Sequence, residues 1–408
     1  MDHAGDPTTV SAPPAHVPPE RVFDIDIYDV PGAASNFHLA LQALRDQGLP
    51  DVFWTPRHGG YWVATRHADI LRVFGDTEHF SSKGLVVPYE PERQAPLPPI
   101  HCDLPEHTAY RSLIATTFLP RPVAALAEKA RAIAIELVEQ LKPRGGCEFV
   151  TDFAQHLPIA VFMGIVDVPA EDREKLLAWA DGMVRPEKRE DVHDTLAQIF
   201  AYCRNLLADR KITPGTDLLS RISQGKVFGR PLTDDEMVAM CALVLIGGMD
   251  TVVSVMGFAA HFLATHPEHR RQLVQQPELI PGAVDELLRR FPVVNAGRLV
   301  AKEVALGGVT LKPGDMILLP TTLANLDGRR FANPLTVDFF RADATDYATF
   351  GKGPHRCPGA NLGRSELRVF LEEWLQRIPE FSVAEGGKVG MSSGVNGTIY
   401  SLPLTWTP

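Results

Sequence analysis

Apolar side chains recur at three- and four-residue steps through much of the chain, and this periodicity constrains its fold more than any other feature. It predicts helices over residues 123–141, 172–184, 194–210, 233–265 and 281–291. Shorter strand-like segments lie at residues 60–65, 298–300, 304–306 and 316–320, and Lys312-Pro313-Gly314-Asp315 is typical of a turn. The pattern predicts a mainly α fold, with a large helical region and a smaller β-rich region beside it.

The composition is that of a globular protein with a sizeable core. Hydrophobic residues make up 45% of the chain and charged residues 22%. The formal charge of -10 comes without a long basic run, so no nucleic acid is expected as a partner. We expect residues 1–20, which are rich in Pro and Ala, to be a mobile tail, and residues 21–408 to form a single domain.

The five cysteines are odd in number, widely spaced and without a Cys-x-x-Cys pair. This argues against a disulfide framework or a zinc site and favours a reducing, cytoplasmic setting. The longest strongly apolar stretch, residues 237–249, is too short to span a bilayer, so we expect no membrane association.

One loop carries the strongest local signal for chemistry. It reads Phe350-Gly351-Lys352-Gly353-Pro354-His355-Arg356-Cys357-Pro358-Gly359 and is followed by a helical pattern over residues 360–375. Glycines let a backbone approach something flat and bulky, and a helix N-terminus favours a thiolate. Taken alone, a cysteine in such a turn is more often a buried structural residue, and the surrounding residues reverse that expectation for Cys357.

A second signal lies in the long helix that begins with the capping box Thr233-Asp234-Asp235-Glu236. Gly247 and Gly248 are adjacent inside it, and each costs about 1 kcal/mol against alanine. A close helix crossing could offset that cost, or the glycines could open the helix for a ligand. Asp250 and Thr251 follow directly, as a carboxyl group beside a hydroxyl group.

Together these segments resemble the cytochrome P450 family, whose haem-binding loop reads Phe-Gly-x-Gly-x-His-x-Cys-x-Gly. The resemblance implies haem b with Cys357 as the axial ligand to iron, and O2 as co-substrate. It makes Asp250 and Thr251 the catalytic, proton-delivery residues. It also implies haem contacts from a wider set: His107, Arg111, Gly247, Arg298, Phe350, Gly351, His355 and Gly359.

Two further residues match the family's structural Glu-x-x-Arg pair, Glu286 and Arg289. Three residues apart on a helix, they share a face. An arginine completes this network in many members, but none is evident over residues 335–339.

The likeness is closest to bacterial camphor hydroxylases. The chain differs from them at positions that contact substrate. Ala95 stands at the position of the tyrosine that anchors camphor, and Val86 replaces an aromatic wall. We expect a roomy, nearly apolar pocket that takes a small terpenoid or norisoprenoid, with Asn396 as its one polar contact. Its other lining residues are Leu97, Leu243, Ile246, Gly247, Val294 and Val395. Residues 172–210 should form two helices over it as a lid, joined by a polar linker at 185–189.

Electrons must come from another protein, because the chain has no Gly-x-Gly-x-x-Gly fingerprint after a strand and no cysteine spacing for an iron–sulfur cluster. We expect a 2Fe-2S ferredoxin with an NAD(P)H-dependent ferredoxin reductase. The ferredoxin would dock on a basic patch of this chain, formed by Arg111, Lys352, Arg356 and Arg364. Three alternatives remain: a peroxide-driven peroxygenase, a non-catalytic haem sensor and a haem-free structural protein.

Overall fold

The structure is a computed structural model that describes residues 10–92, 96–184 and 189–408. Helices dominate this part of the chain, as the periodicity predicts. The α-helices are α1 Ala33–Asp46, α2 His67–Gly75, α3 Glu106–Ala115, α4 Pro120–Leu141, α5 His156–Val166, α6 Arg173–Val184, α7 Arg189–Ile212, α8 Leu218–Ser223, α9 Asp234–Met249, α10 Thr251–Thr265, α11 Pro267–Gln275, α12 Ile280–Arg290, α13 Thr321–Asn325 and α14 Ala360–Arg377.

The strands are short, and most are antiparallel to their neighbours. They are β1 Val52–Thr55, β2 Tyr61–Ala64, β3 Phe80–Ser81, β4 Gly146–Glu148, β5 Lys226–Val227, β6 Arg230–Pro231, β7 Asn295–Val300, β8 Val304–Leu306, β9 Val309–Leu311, β10 Met316–Pro320, β11 Ser382–Val383, β12 Gly390–Ser392, β13 Thr398–Ser401 and β14 Pro403–Thr405. The largest sheet has the order β1-β2-β10-β7-β3. Its parallel β10–β2 pair joins the early strands to the later ones, which confirms the predicted β-rich region.

The central helical run differs from the prediction of one helix over residues 233–265. The capping box is present, with the Thr233 hydroxyl accepting from the Glu236 N–H at 3.2 Å. The run then breaks at Asp250, between α9 and α10. The break has a local cause, because the Thr251 hydroxyl donates to the Gly247 carbonyl at 3.2 Å inside the helical ladder.

The same run, Asp234–Thr265, is long and apolar enough over 32 residues to cross a membrane by length and composition. It is longer than the apolar stretch noted in the sequence, because α10 continues it. However, 56% of its most apolar window is buried inside the protein. Helix α10 packs against α14 and β13, as a core helix does.

Part of the segment predicted as a tail packs against the main sheet. Val17 is buried, and His16 Nε2 lies 2.8 Å from the Asp315 carboxylate at the turn before β10. The Ser11 N–H donates to the Pro56 carbonyl at 2.9 Å. These contacts hold residues 11–17 against the main sheet.

Candidate functional site

The cysteine loop is tightly folded ahead of α14. The Cys357 N–H donates to the Phe350 carbonyl at 2.9 Å, which closes the loop on itself. Gly351 and Gly353 have φ of 66° and 70°, which favour glycine. A Cβ on Gly353 would lie 2.9 Å from the Phe74 carbonyl, so this position also needs glycine for space.

The sulfur of Cys357 is surrounded by protein atoms, yet the residue is not sealed from solvent. Cys357 is solvent-exposed, yet the surrounding protein raises the pKa of its thiol by burial, as happens when a group points into an internal opening. The Gly359 N–H bonds to the sulfur and, with Arg111 and Arg356, lowers that pKa. The loop and α3 therefore supply a hydrogen-bond donor and positive charge that favour a thiolate.

The central helical run passes close to this loop. A Cβ on Gly363 of α14 would lie 3.9 Å from Val252 and 4.0 Å from the Phe350 ring. One turn earlier on the run, a Cβ on Gly247 or Gly248 would meet nothing within 4 Å. The two glycines therefore border open space and not a close helix crossing.

Asp250 sits at the break in the run. Its carboxylate accepts from the Asn396 amide at 2.8 Å and from the Ser254 hydroxyl at 3.3 Å. Burial raises the pKa of Asp250, and these two hydrogen bonds lower it. Asn396 was predicted as a substrate contact, but its amide is engaged by Asp250.

A cluster of cationic and imidazole groups lies beside the cysteine loop. The rings of His107 and His355 are 4.1 Å apart between centroids, and the Arg298 guanidinium stacks on Phe74 at 5.3 Å. Burial, with His107, Arg298 and Arg111 nearby, lowers the pKa of His355 to about 3. Burial lowers the pKa of Arg298 to about 10. The sequence placed these residues far apart, and the fold brings them together.

Two of these groups, His107 and Arg298, have few hydrogen-bond partners within the described ranges. Neither ring nitrogen of the buried His107 has a hydrogen-bond partner there, and Arg298, only 4% exposed, donates just to the Gly297 carbonyl at 2.7 Å. A buried cation is stable when an anion pairs with it. The residues present thus fit a group that carries carboxylates and lies flat against the glycine loop, as haem does.

Glu286 and Arg289 form a fully buried ion pair, with both side chains 0% exposed. The guanidinium donates to both carboxylate oxygens, at 2.7 and 2.8 Å. The arginine that completes this network, which residues 335–339 do not contain, is Arg341: its Nε donates to Glu286 at 3.1 Å. The sequence does not reveal Arg341, because it lies two residues beyond the segment 335–339, in a loop without periodicity.

The residues predicted to contact substrate fall on several segments around the run. Leu243 and Ile246 on α9 and Val86 and Leu97 before α3 are half-buried, and Val395 is 45% exposed. Two of these segments contact strand β7 or the residue just before it. Its Gly297 N–H donates to Leu85 at 2.6 Å, next to Val86, and Val294, immediately before the strand, bridges to Asn396. Ala95 and most of the 185–189 linker lie outside the described residues.

Only some of the cations in the predicted docking patch are exposed to a partner. Lys352 and Arg356 are exposed, and Arg111 donates to the Arg356 carbonyl at 2.7 Å. Arg364 differs from the expectation, because its guanidinium makes two hydrogen bonds to the Asp285 carboxylate. Its charge is therefore neutralised within the protein.

Comparisons with known proteins agree over nearly the whole chain. A family model described as "Cytochrome P450" matches residues 176–394. The probable cytochrome P450 127A1 of Sinorhizobium fredii is 33% identical over 404 residues, covering 96% of each chain. The vitamin D(3) 25-hydroxylase of Pseudonocardia autotrophica is 32% identical, covering 86% of this chain and 88% of the relative.

Two solved structures are similar at the level of the whole fold. The crystal structure of CYP101J2 has a TM-score of 0.87 at 39% identity and covers 98% of this chain and 100% of its own. That of CYP101C1 has a TM-score of 0.89 at 39% identity and covers 97% of this chain and 100% of its own.

Proposed function

The chain belongs to the cytochrome P450 family, and we propose that it inserts one oxygen atom from O2 into a small apolar substrate such as a terpenoid or norisoprenoid. The family uses Cys-ligated haem b and takes electrons from redox partners. Haem, when bound, supplies the iron at which O2 is activated for hydroxylation or epoxidation.

Cys357 is the residue that we assign as iron ligand, and its surroundings carry the proposal. Cys357 is an exposed cysteine in a glycine-rich loop, and the Gly359 N–H is directed at its sulfur. Cys102, Cys203 and Cys241 are buried, and burial raises the pKa of Cys147. Arg298 and the unpartnered imidazole of His107 would then hold the propionates.

Asp250 and Thr251 would handle protons beside the reacting centre. The Thr251 hydroxyl bonds to the Gly247 carbonyl, next to the open space at Gly247 and Gly248, so it can reorient toward a ligand there. The Asp250 carboxyl, one residue away, can carry a proton inward. This pair favours use of O2 with an electron donor over direct use of peroxide.

The substrate and partner follow from the surfaces around the cleft. Half-buried Val86, Leu97, Leu243 and Ile246 suit an apolar skeleton with few polar groups. Exposed Lys352 and Arg356, on the thiolate side, suit an acidic 2Fe-2S ferredoxin that is reduced by an NAD(P)H-dependent reductase. We assign the enzyme to the cytoplasm, where its five free cysteines would stay reduced.

The first experiment is the visible spectrum of the reduced, carbon-monoxide-bound protein. Thiolate ligation predicts a strongly red-shifted Soret band, and Cys357→Ser should abolish that shift. The ferric protein is then titrated with ionone-like compounds and with camphor, and a low-spin to high-spin change identifies the substrate class. A colourless protein, or an unshifted band, would overturn the proposal.

Thr251→Ala tests proton handling in the same enzyme. Without the hydroxyl, reductant should still be consumed while product falls, because protons no longer arrive in step with electrons. The measurement is product formed per NAD(P)H consumed, with peroxide assayed alongside. Thr265→Ala, at the far end of α10, is the matched control. Full coupling in Thr251→Ala would contradict this role.

A further inference from the structure

The Asp250 carboxylate is held by neutral donors from two different elements. The Asn396 amide donates to one oxygen at 2.8 Å, and the Ser254 hydroxyl donates to the other at 3.3 Å. Ser254 lies on α10, one turn from Asp250, while Asn396 lies between β12 and β13. Among the described residues, Asn396 and Ser254 are the two groups whose hydrogen bonds stabilise this carboxylate.

The segment that carries Asn396 is fixed on both sides. The Asn295 N–H donates to the Val395 carbonyl at 2.9 Å, and the Asn295 amide donates to the Gly394 carbonyl at 2.8 Å. On the other side, the Gly397 N–H donates to Val293 at 2.7 Å. The Asn396 side chain is therefore presented from a backbone that the start of β7 holds in place.

The hairpin and the helix also touch directly. A Cβ on Gly257 of α10 would overlap the Ile399 side chain of β13, so only a glycine lets the two elements come this close. The same close approach brings Asn396 to the first residue of the helical break. Asn396 follows Val395 in sequence and bridges to Val294, two residues that we propose contact substrate.

We infer that Asn396 is a positioning residue, which favours the ionised form of the Asp250 carboxyl and holds it toward segment 394–397, where we expect substrate contacts. This rests on the proposed function, in which Asp250 delivers protons. An amide N–H stabilises a carboxylate more than a carboxylic acid, so losing it makes Asp250 hold its proton to higher pH. Asn396 thereby links the segment that meets substrate to the group that moves protons.

The test compares Asn396→Leu, which keeps the approximate size and removes the donor, with Ser254→Ala, which removes the longer hydrogen bond. The first readout is the pH dependence of coupling in the haem-loaded enzyme. Its midpoint should rise by roughly 1–2 pH units in Asn396→Leu and by less in Ser254→Ala. Ser401→Ala, at the end of β13, is the control and should leave the midpoint in place.

A second readout does not depend on turnover. The protonated carboxyl of Asp250 gives an infrared band that is identified by its loss in Asp250→Asn, and its titration can be followed in the resting ferric enzyme. In Asn396→Leu this band should persist to higher pH than in the parent protein. The carbon-monoxide spectrum checks that each variant is folded and loaded.

The outcomes separate the two claims. If Asp250→Asn lowers coupling while Asn396→Leu shifts neither midpoint, the inference fails and the proposed role of Asp250 stands. If Asp250→Asn leaves coupling intact, the proton-delivery role fails and the inference fails with it.

Discussion

Two clusters of buried charge in this protein are built in opposite ways. Around Glu286, two arginines and the Asp338 N–H satisfy one fully buried carboxylate. Around His107 and Arg298, no carboxylate among the described residues makes a hydrogen bond to the buried donors, and Asp103 acts on Arg298 only through its charge. A buried charge without a partner is destabilising. The first cluster satisfies its own charges and so stabilises the fold, whereas the second is suited to bind an anionic ligand.

Arg289→Ala breaks the complete cluster and should have the largest effect. It leaves Glu286 buried with one arginine fewer, so we expect the free energy of unfolding to fall by about 3–5 kcal/mol. Denaturant unfolding followed by circular dichroism measures this. Arg330→Ala, whose ion pairs with Asp343 and Asp346 are partly exposed, is the control and should cost less than about 1 kcal/mol. Equal losses in the two variants would remove the distinction.

Glu366 contrasts with Glu286, because it is a buried carboxyl without an arginine partner. One of its oxygens has no partner in the described chain, and burial raises its pKa from 4.5 to about 8. Below pH 4.5 both the folded and unfolded states hold the proton, so stability is unaffected. Between pH 4.5 and 8 the unfolded state releases it first, so stability should fall by about 1 kcal/mol per pH unit.

Glu366→Gln should remove this fall, which unfolding curves recorded from pH 5 to 8 would reveal. Glu372→Gln on the same helix is the control. The pKa of Glu372 is lowered by Arg368 and Arg131, despite the opposing effect of its partial burial, so its removal should not flatten the curve. A parent protein whose stability is constant over this range would show that Glu366 finds a partner.

Arg298→Leu tests the incomplete cluster. We expect it to stabilise the haem-free protein and to weaken haem binding. The haem-free form should gain stability, because a buried cation that no carboxylate contacts directly is lost. Haem should dissociate roughly 10- to 100-fold more readily, because a charged hydrogen bond to it is lost. Transfer of haem to an acceptor protein measures this rate. Lys302→Ala, which removes an exposed cation beyond β7, should change neither quantity.

The smallest effect is expected at Pro358, beside the Cys357 sulfur. Proline has no N–H to offer the sulfur, so Gly359 supplies the hydrogen bond in the structure. Pro358→Leu adds a donor, which should weaken electron donation to iron and raise the reduction potential by roughly 20–60 mV. Spectroelectrochemical titration measures the potential, and an unchanged value would contradict the idea.

The features that sequence predicts well are local ones. Helical periodicity gave α4, α12 and α14 to within a few residues, and the loop motif identified Cys357 because its fixed positions lie within ten residues. The features that it predicts poorly depend on distant contacts. The pairing of Arg364 with Asp285 and of Asn396 with Asp250 joins residues 79 and 146 positions apart. No local pattern records such a pairing.

The apolar run Asp234–Thr265 has a consequence for biosynthesis. It leaves the ribosome before α14 and β13, the elements that cover α10, have been made. During that interval, a helix apolar enough to resemble a membrane span is exposed to water. We therefore expect the nascent chain to be most prone to aggregation at this stage, and slow synthesis of the C-terminal quarter should increase that tendency.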